Sequence, residues 1–173
     1  MKLSVFTVIM PDFSMEESAK YLSGVGYDGL ELRVRDIPDS IRKDPYSYWG
    51  NVKNDIGVKN LKDKAKEIRK ICDKYKLEIC AIASYMSCSE QDAVEEVCKS
   101  MSILGTNMLR VNAPYYDGKK NYNIIYKDAV KKFAAVEKIV KKYNVKAVVE
   151  THMGLISPSA SFSFRIVSNF DPK

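Results

Sequence analysis

Five short apolar runs recur along this chain, each followed by a segment whose apolar residues fall three and four apart, and that alternation leaves few folds open. The runs are residues 3–9, 29–34, 77–83, 108–113 and 145–149, rich in β-branched side chains. Most are continuously apolar instead of alternating between an inner and an outer side, as a strand is when both faces of its sheet are covered. Between them, Ile125, Ala129, Phe133, Val136, Val140 and Tyr143 lay one apolar stripe along a helix. Leu61, Ala65, Ile68, Cys72 and Tyr75 repeat the arrangement, as do Val94, Val97, Met101 and Leu104. Ser14 with Glu17, and Ser89 with Asp92, have capping-box spacing and predict two helix starts. Gly105 suits a left-handed helix end. Ser157-Pro158 predicts a fifth helix running through Phe164, Ile166 and Val167.

Five strand-helix units of roughly 35 residues each make all five strands parallel, because such crossovers are right-handed. Two α/β architectures fit. One is a five-stranded doubly wound sheet of the flavodoxin type; the other is a partial (β/α)8 TIM barrel, about 250 residues when complete. The doubly wound reading lacks its chemistry. Phosphoacceptor function needs an aspartate ending the third strand, an acidic pair after the first and a lysine after the fifth. The sequence has Ser84-Tyr85-Met86, only Asp12, and Thr151-His152 in those places. A flavin would need a Ser/Thr/Gly phosphate loop where Met10-Pro11-Asp12-Phe13 stands. Gly24, Gly26 and Gly29 spell Gly-x-Gly-x-x-Gly, but a helix precedes them and a strand follows. A pyrophosphate needs the reverse order, so these glycines close a helix and enter a strand. Residues 35–58, with Pro38, Pro45, Trp49 and Gly50, read as a long loop of the kind that lines sites in parallel α/β proteins.

At 173 residues and 46% apolar composition the chain is expected to form one domain, 1–173, with a substantial core. No run of eighteen apolar residues is present, so no segment is expected to cross a membrane as a helix. The first apolar run ends at Pro11-Asp12 without a small-residue cleavage site and reads as a strand, which points to a cytoplasmic protein. Cys72, Cys80, Cys88 and Cys98 form no Cys-x-x-Cys pair and are expected to stay reduced. The net charge of +6 suggests nucleic acid at first sight. However, Lys127, Lys131, Lys132, Lys138, Lys141 and Lys142 fall between the apolar positions of one helix and form its solvated face. No nucleic-acid module accompanies them.

The informative segment is Ala147-Val148-Val149-Glu150-Thr151-His152, an apolar strand whose C-terminal end turns ionisable. Parallel barrels gather their sites at that end. A carboxylate there can bind a hard divalent cation through oxygen and can accept a proton from carbon. Strand alternation puts Glu150 and His152 on one side if the strand reaches that far. The plainer alternative is a surface glutamate near a hydrogen-bonded histidine.

Val5-Phe6-Thr7, the stretch Gly26-Tyr27-Asp28-Gly29-Leu30-Glu31-Leu32, and Val148-Val149-Glu150-Thr151-His152 together resemble the xylose isomerase-like TIM barrels. That superfamily holds sugar phosphate isomerases and epimerases and the endonuclease IV type of repair enzyme. The resemblance implies five parallel βα units forming the N-terminal portion of a barrel. It also implies a sugar or sugar-phosphate isomerase or epimerase that moves a proton through an enediolate with metal assistance. Glu150 then corresponds to a metal ligand and proton-transferring base, and His152 to a site residue near it. Glu31, which has structural hydrogen bonding as its alternative role, would join Arg33 and Asn112 as substrate contacts. The family's ligand set, Glu, Asp, His and Glu, comes from strands five to eight. A chain truncated after the fifth unit would therefore carry one ligand, Glu150, and hold Mn, Mg, Co or Zn weakly or not at all. With a single histidine, the three-metal site of the repair enzymes is excluded. Open strand edges imply self-association into a homo-oligomer or a complementing chain, so a non-catalytic barrel fragment is the alternative function.

Overall fold

The structure is a computed structural model, described over residues 1–171. Its strands are β1 (Ser4–Phe6), β2 (Gly29–Val34), β3 (Glu78–Ser87), β4 (Met108–Asn112) and β5 (Lys146–Val148). Its helices are α1 (Met15–Gly24), α2 (Val58–Lys74), α3 (Gln91–Leu104), α4 (Tyr122–Lys142) and α5 (Ala160–Val167). Among the described residues no helix is long and apolar enough to cross a membrane.

The strands lie parallel in the order β1-β2-β3-β4-β5. That order decides between the two architectures. A flavodoxin-type sheet reverses direction and runs 2-1-3-4-5, with helices on both faces. Here each strand adds beside the last, and α1 packs on α2, α2 on α3 and α3 on α4, as they do around a barrel. The doubly wound alternative is therefore set aside. Among the described residues β5 is not paired with β1, so the sheet is an open arc of a barrel.

The register separates the two faces. Leu30, Leu32, Val34, Ile79, Ile82, Leu109 and Val111 point outward and pack with Leu61, Ala65, Ile68, Val94, Val97, Met101, Leu104, Ala129, Phe133 and Val136. Each fully buried leucine or isoleucine in this layer contributes about 2 kcal/mol, so the helix-sheet contact is the main stabilising term. The intervening strand positions face the other way. Phe6, Glu31 and Ala81 form one aligned row, and Arg33, Ala83, Arg110 and Val148 form the next. Charged residues thus stand inside apolar strand runs because they share the inner face of the arc.

Local details follow from side-chain chemistry. The first apolar run forms only a three-residue strand, because Thr7–Ile9 turns into a 3-10 helix. Thr7 Oγ1 there accepts from the Arg33 amide at 3.1 Å. The third run extends past its expected end, to Ser87. Gly29 lies so close to β3 that a Cβ would sit 2.6 Å from the Glu78 carbonyl oxygen. Gly105 caps α3 at φ 72, the left-handed conformation that glycine takes without strain.

The two expected capping boxes part company. At α1 the Ser14 hydroxyl accepts from the Glu17 amide and the Glu17 carboxylate accepts from the Ser14 amide. At α3 the residue entering the helix is Glu90, one later than expected, and its side chain reaches back to the Ser87 amide at 2.7 Å. α5 likewise starts after Ser159, not Ser157. Ser157 is buried and donates to the Glu150 carbonyl at 3.1 Å. Replacing Ser14 by Ala should cost about 1 kcal/mol in unfolding free energy, while Ser89→Ala stays within about 0.5 kcal/mol. Urea denaturation of the two variants measures the difference.

Candidate functional site

Arg110 is the centre of the inner face. It rises from β4 between small and aromatic neighbours, with only a tenth of its side chain exposed. Its Nε donates to the Ser84 carbonyl at 3.0 Å, and its NH1 donates to Glu150 Oε2 at 2.9 Å. Its guanidinium carbon lies 4.9 Å from the centre of the Tyr85 ring and 5.9 Å from that of Phe6. Ala83, between Arg33 and Arg110 in the aligned row, leaves room for both side chains to approach Tyr85. An enclosed guanidinium requires a counter-charge, since removing one partner of such a pair strands the other.

Glu150 supplies that charge from just beyond β5, with 42% of its side chain exposed. Its position is set by neighbouring loops. Ser157 holds its carbonyl, Ile156 N donates to the Pro114 carbonyl at 3.0 Å, and Tyr116 N donates to the Gly154 carbonyl at 2.8 Å. The segment after β5 is thereby tied to the segment after β4.

Glu31 stands half-buried on β2, on the same face. Burial pushes its carboxyl above the usual range; the Arg110 charge pulls it down, and the Glu150 charge pushes it up again. Glu150 is thus paired directly with Arg110, while Glu31 responds to both charges from β2.

The remaining candidates are placed differently. Arg33 is wholly enclosed, with its Nε 2.9 Å from Asp55 Oδ1 and both side chains fully buried. The two meet as an ion pair without the alignment of a hydrogen bond, while Arg33 NH2 donates to the Gly50 carbonyl at 3.3 Å. Its guanidinium fastens the loop of residues 35–57 to the sheet instead of facing open space. Asn112 ends β4 half-buried; its carbonyl accepts from Cys88 N, and its side-chain oxygen is enclosed with no partner among the described residues. His152 is exposed in the turn after β5, where its Nδ1 lies 2.6 Å from the Met153 carbonyl. β5 ends at Val148, so strand alternation does not carry as far as His152. Arg110, Tyr85 and Asp55 went unnoticed in the sequence. A charge inside the run 108–113 was the available signal for Arg110, because a doubly covered strand keeps a charge only when it is paired. Asp55 lies in a loop rich in charge and carried no such signal.

The family model for xylose isomerase-like TIM barrels matches residues 19–173. The chain belongs to that family. No curated protein sequence matches it. Among solved structures, this xylose isomerase-like chain is similar to the IOLI protein with a binding zinc atom, at TM-score 0.71 and 15% identity, covering 97% of this chain and 58% of that one. It is similar to 3-keto-D-glucoside 4-epimerase, YcjR, from E. coli, at TM-score 0.72 and 13% identity, covering 100% and 65%. A third is the probable 3-DHS dehydratase AsbF from Bacillus anthracis, at TM-score 0.71 and 15% identity, covering 98% and 59%. The chain therefore spans about three fifths of the length of these structures. At such identities the likeness shows the shared fold.

The donor set of this chain does not fit a metal ion by itself. Among the described residues no three His, Cys, Asp or Glu side chains gather in one place. Zinc takes about four protein or water ligands and the harder cations about six oxygens, whereas Glu150 faces a guanidinium.

Burial pushes the Asp55 carboxyl up to about 6, against the opposing pull of Arg33 and Arg35. A folded-state value above the unfolded value of about 3.9 means that the folded protein binds more protons between the two. The stabilising contribution is complete below pH of about 4 and is lost as pH rises through about 6. The stability of the wild type relative to Asp55→Asn should accordingly fall between about pH 4 and 7. Chemical denaturation of both proteins across that range reads the slope.

Proposed function

We propose that this chain carries the sugar-facing, proton-transferring part of an isomerase or epimerase acting on a sugar or sugar phosphate. The carrying observation is that Glu31, on the inner face of β2, shares that face with Arg110 of β4, which is paired with Glu150. Moving a proton between carbons next to a carbonyl needs one group to remove it and one to return it, and carboxyls in unlike environments divide those roles. Glu150 is the base. It takes the C–H proton, leaving the electron pair in an enediolate whose oxygen is stabilised by the Arg110 guanidinium. Glu31, whose protonated form burial favours, gives a proton back to the same carbon from the other face in an epimerisation, or to the neighbouring carbon in an isomerisation, in which the hydroxyl proton also passes from one enediolate oxygen to the other. The two carboxyls then exchange their proton difference through solvent.

The names of the structural neighbours support a carbohydrate-like substrate, since one is an epimerase of a ketoglucoside. A bound zinc atom in another supports divalent-metal chemistry in the family. For Glu150 to serve as a ligand here, its pairing with Arg110 would have to open and further ligands would have to come from outside the described residues. His152 and Asn112 are given supporting roles near the site, Arg33 holds the loop of residues 35–57 that borders it, and a cytoplasmic setting suits such an enzyme. Incubating the protein with a ketose panel in deuterated water, with and without Mn2+, should give label at the carbon next to the carbonyl, followed by NMR. Glu150→Gln should reduce the rate by at least about a hundredfold. Absence of label in the wild type under both conditions would remove the catalytic reading.

A second reading, pairing with another copy or a complementing chain, rests on a different observation. β5 borders an apolar cleft of about 310 Å3 lined by Phe133, Val136, Val140, Val149, Ile166 and Phe170. Unpaired strand groups beside apolar surface favour addition of another strand. Light scattering should then show a mass that rises with concentration, and Val149→Asp should return it to that of one chain.

A further inference from the structure

The loop of residues 35–57 contains one residue in an unexpected backbone state. Gly50 N donates to the Ser47 carbonyl at 3.2 Å, closing a β-turn in which Trp49 is the third residue, with φ at 66°. Turns of this hand favour glycine or asparagine at that position, because a Cβ crowds the neighbouring carbonyl. A bulky aromatic there is an outlier that persists only where the surroundings over-determine it.

The surroundings do so from the inner face of the sheet. Arg35 NH1 donates to the Trp49 carbonyl at 2.8 Å, and Arg33 NH2 donates to the next carbonyl, that of Gly50. Asn51 fixes the other side of the turn through the carbonyls of Arg42 and Asp44. This framework presents the indole without burying it. Trp49 is 62% exposed, and among the described residues its one ring contact is a tilted approach to Phe6 with centroids 6.1 Å apart. Core packing therefore does not account for a tryptophan at this place.

Its neighbours give it a direction. Phe6 lies on the inner face in the same row as Glu31, and the Arg110 guanidinium sits 5.9 Å from the Phe6 ring, with Glu150 bonded beyond it. An exposed aromatic surface thus stands at the β1–β2 side of the mouth, and the carboxylate that takes the proton stands at the β5 side. A sugar ring has a polar rim and an apolar C–H face, and such sites combine aromatic walls with a few placed polar groups. We propose that Trp49 is a substrate-binding residue, a stacking platform for the apolar face of a carbohydrate ring whose oxygens turn toward Arg110 and the two glutamates. Arg35 is its positioning residue. This inference rests on the sugar reading above.

Trp49 is the only tryptophan in the sequence, so indole emission reports this position alone. The protein is titrated with D-fructose and D-tagatose, and with the acyclic D-sorbitol as comparator, while saturation-transfer NMR follows binding independently. Ketose should change the emission saturably and sorbitol should not. Trp49→Asn, which suits the left-handed turn, should leave the melting temperature unchanged and weaken ketose binding at least about fivefold by NMR. Ketose binding seen by NMR with unchanged wild-type emission and undiminished affinity in Trp49→Asn would overturn the platform and leave the sugar reading standing. An equal emission change with sorbitol would also overturn it. Failure of the wild type to bind any ketose by either method would overturn both.

Discussion

A guanidinium enclosed on the inner face of a parallel sheet must find a carboxylate, and in this protein that requirement organises the site. Arg33 finds Asp55 from the loop after β2, and Arg110 finds Glu150 beyond β5. The first pair is wholly buried and fastens a loop. The second is open on one side, and its carboxylate keeps access to solvent. The same rule of charge compensation therefore yields a structural pair and a chemically available one, distinguished by burial alone.

Much of the fold was legible because helix and strand periods differ so clearly in this sequence. The stripe through Ala129, Phe133, Val136 and Val140 is buried on α4, and those of α2 and α3 behave alike. Strand order was not readable from periodicity, because five parallel βα units fit both a barrel arc and a doubly wound sheet. The structure supplies it through the pairing of each strand with the next. Capping signals were less dependable. Ser14 and Glu17 make both bonds of the box, but Ser89 lost its role to Glu90, whose longer side chain reaches the Ser87 amide.

The site was only half legible. Glu150 stood out because an ionisable residue ended an apolar strand, and Glu31 because it lies in the stretch 26–32 that resembles the xylose isomerase-like barrels. Neither sequence position disclosed Arg110 as the shared neighbour, since that depends on the register of β4 against β3 and β5. Arg33 looked like a substrate contact from the sequence because β2 ends beside it; its enclosure follows from Asp55 folding back from a distant part of the loop. His152 illustrates the limit of alternation. The strand stops at Val148, and the histidine ring meets the Met153 carbonyl of its own turn while its amide donates to the Ser157 carbonyl.

The ties between the segments after β4 and β5 have a mechanical consequence. Glu150 is held through Ser157, and its segment is laced to Pro114 and Tyr116. The carboxylate therefore inherits its placement from a stretch of chain that need not touch any ligand. Remodelling that lacing would swing this carboxylate relative to Arg110 as a lever moves its far end, so the position of Glu150 is governed from its flank.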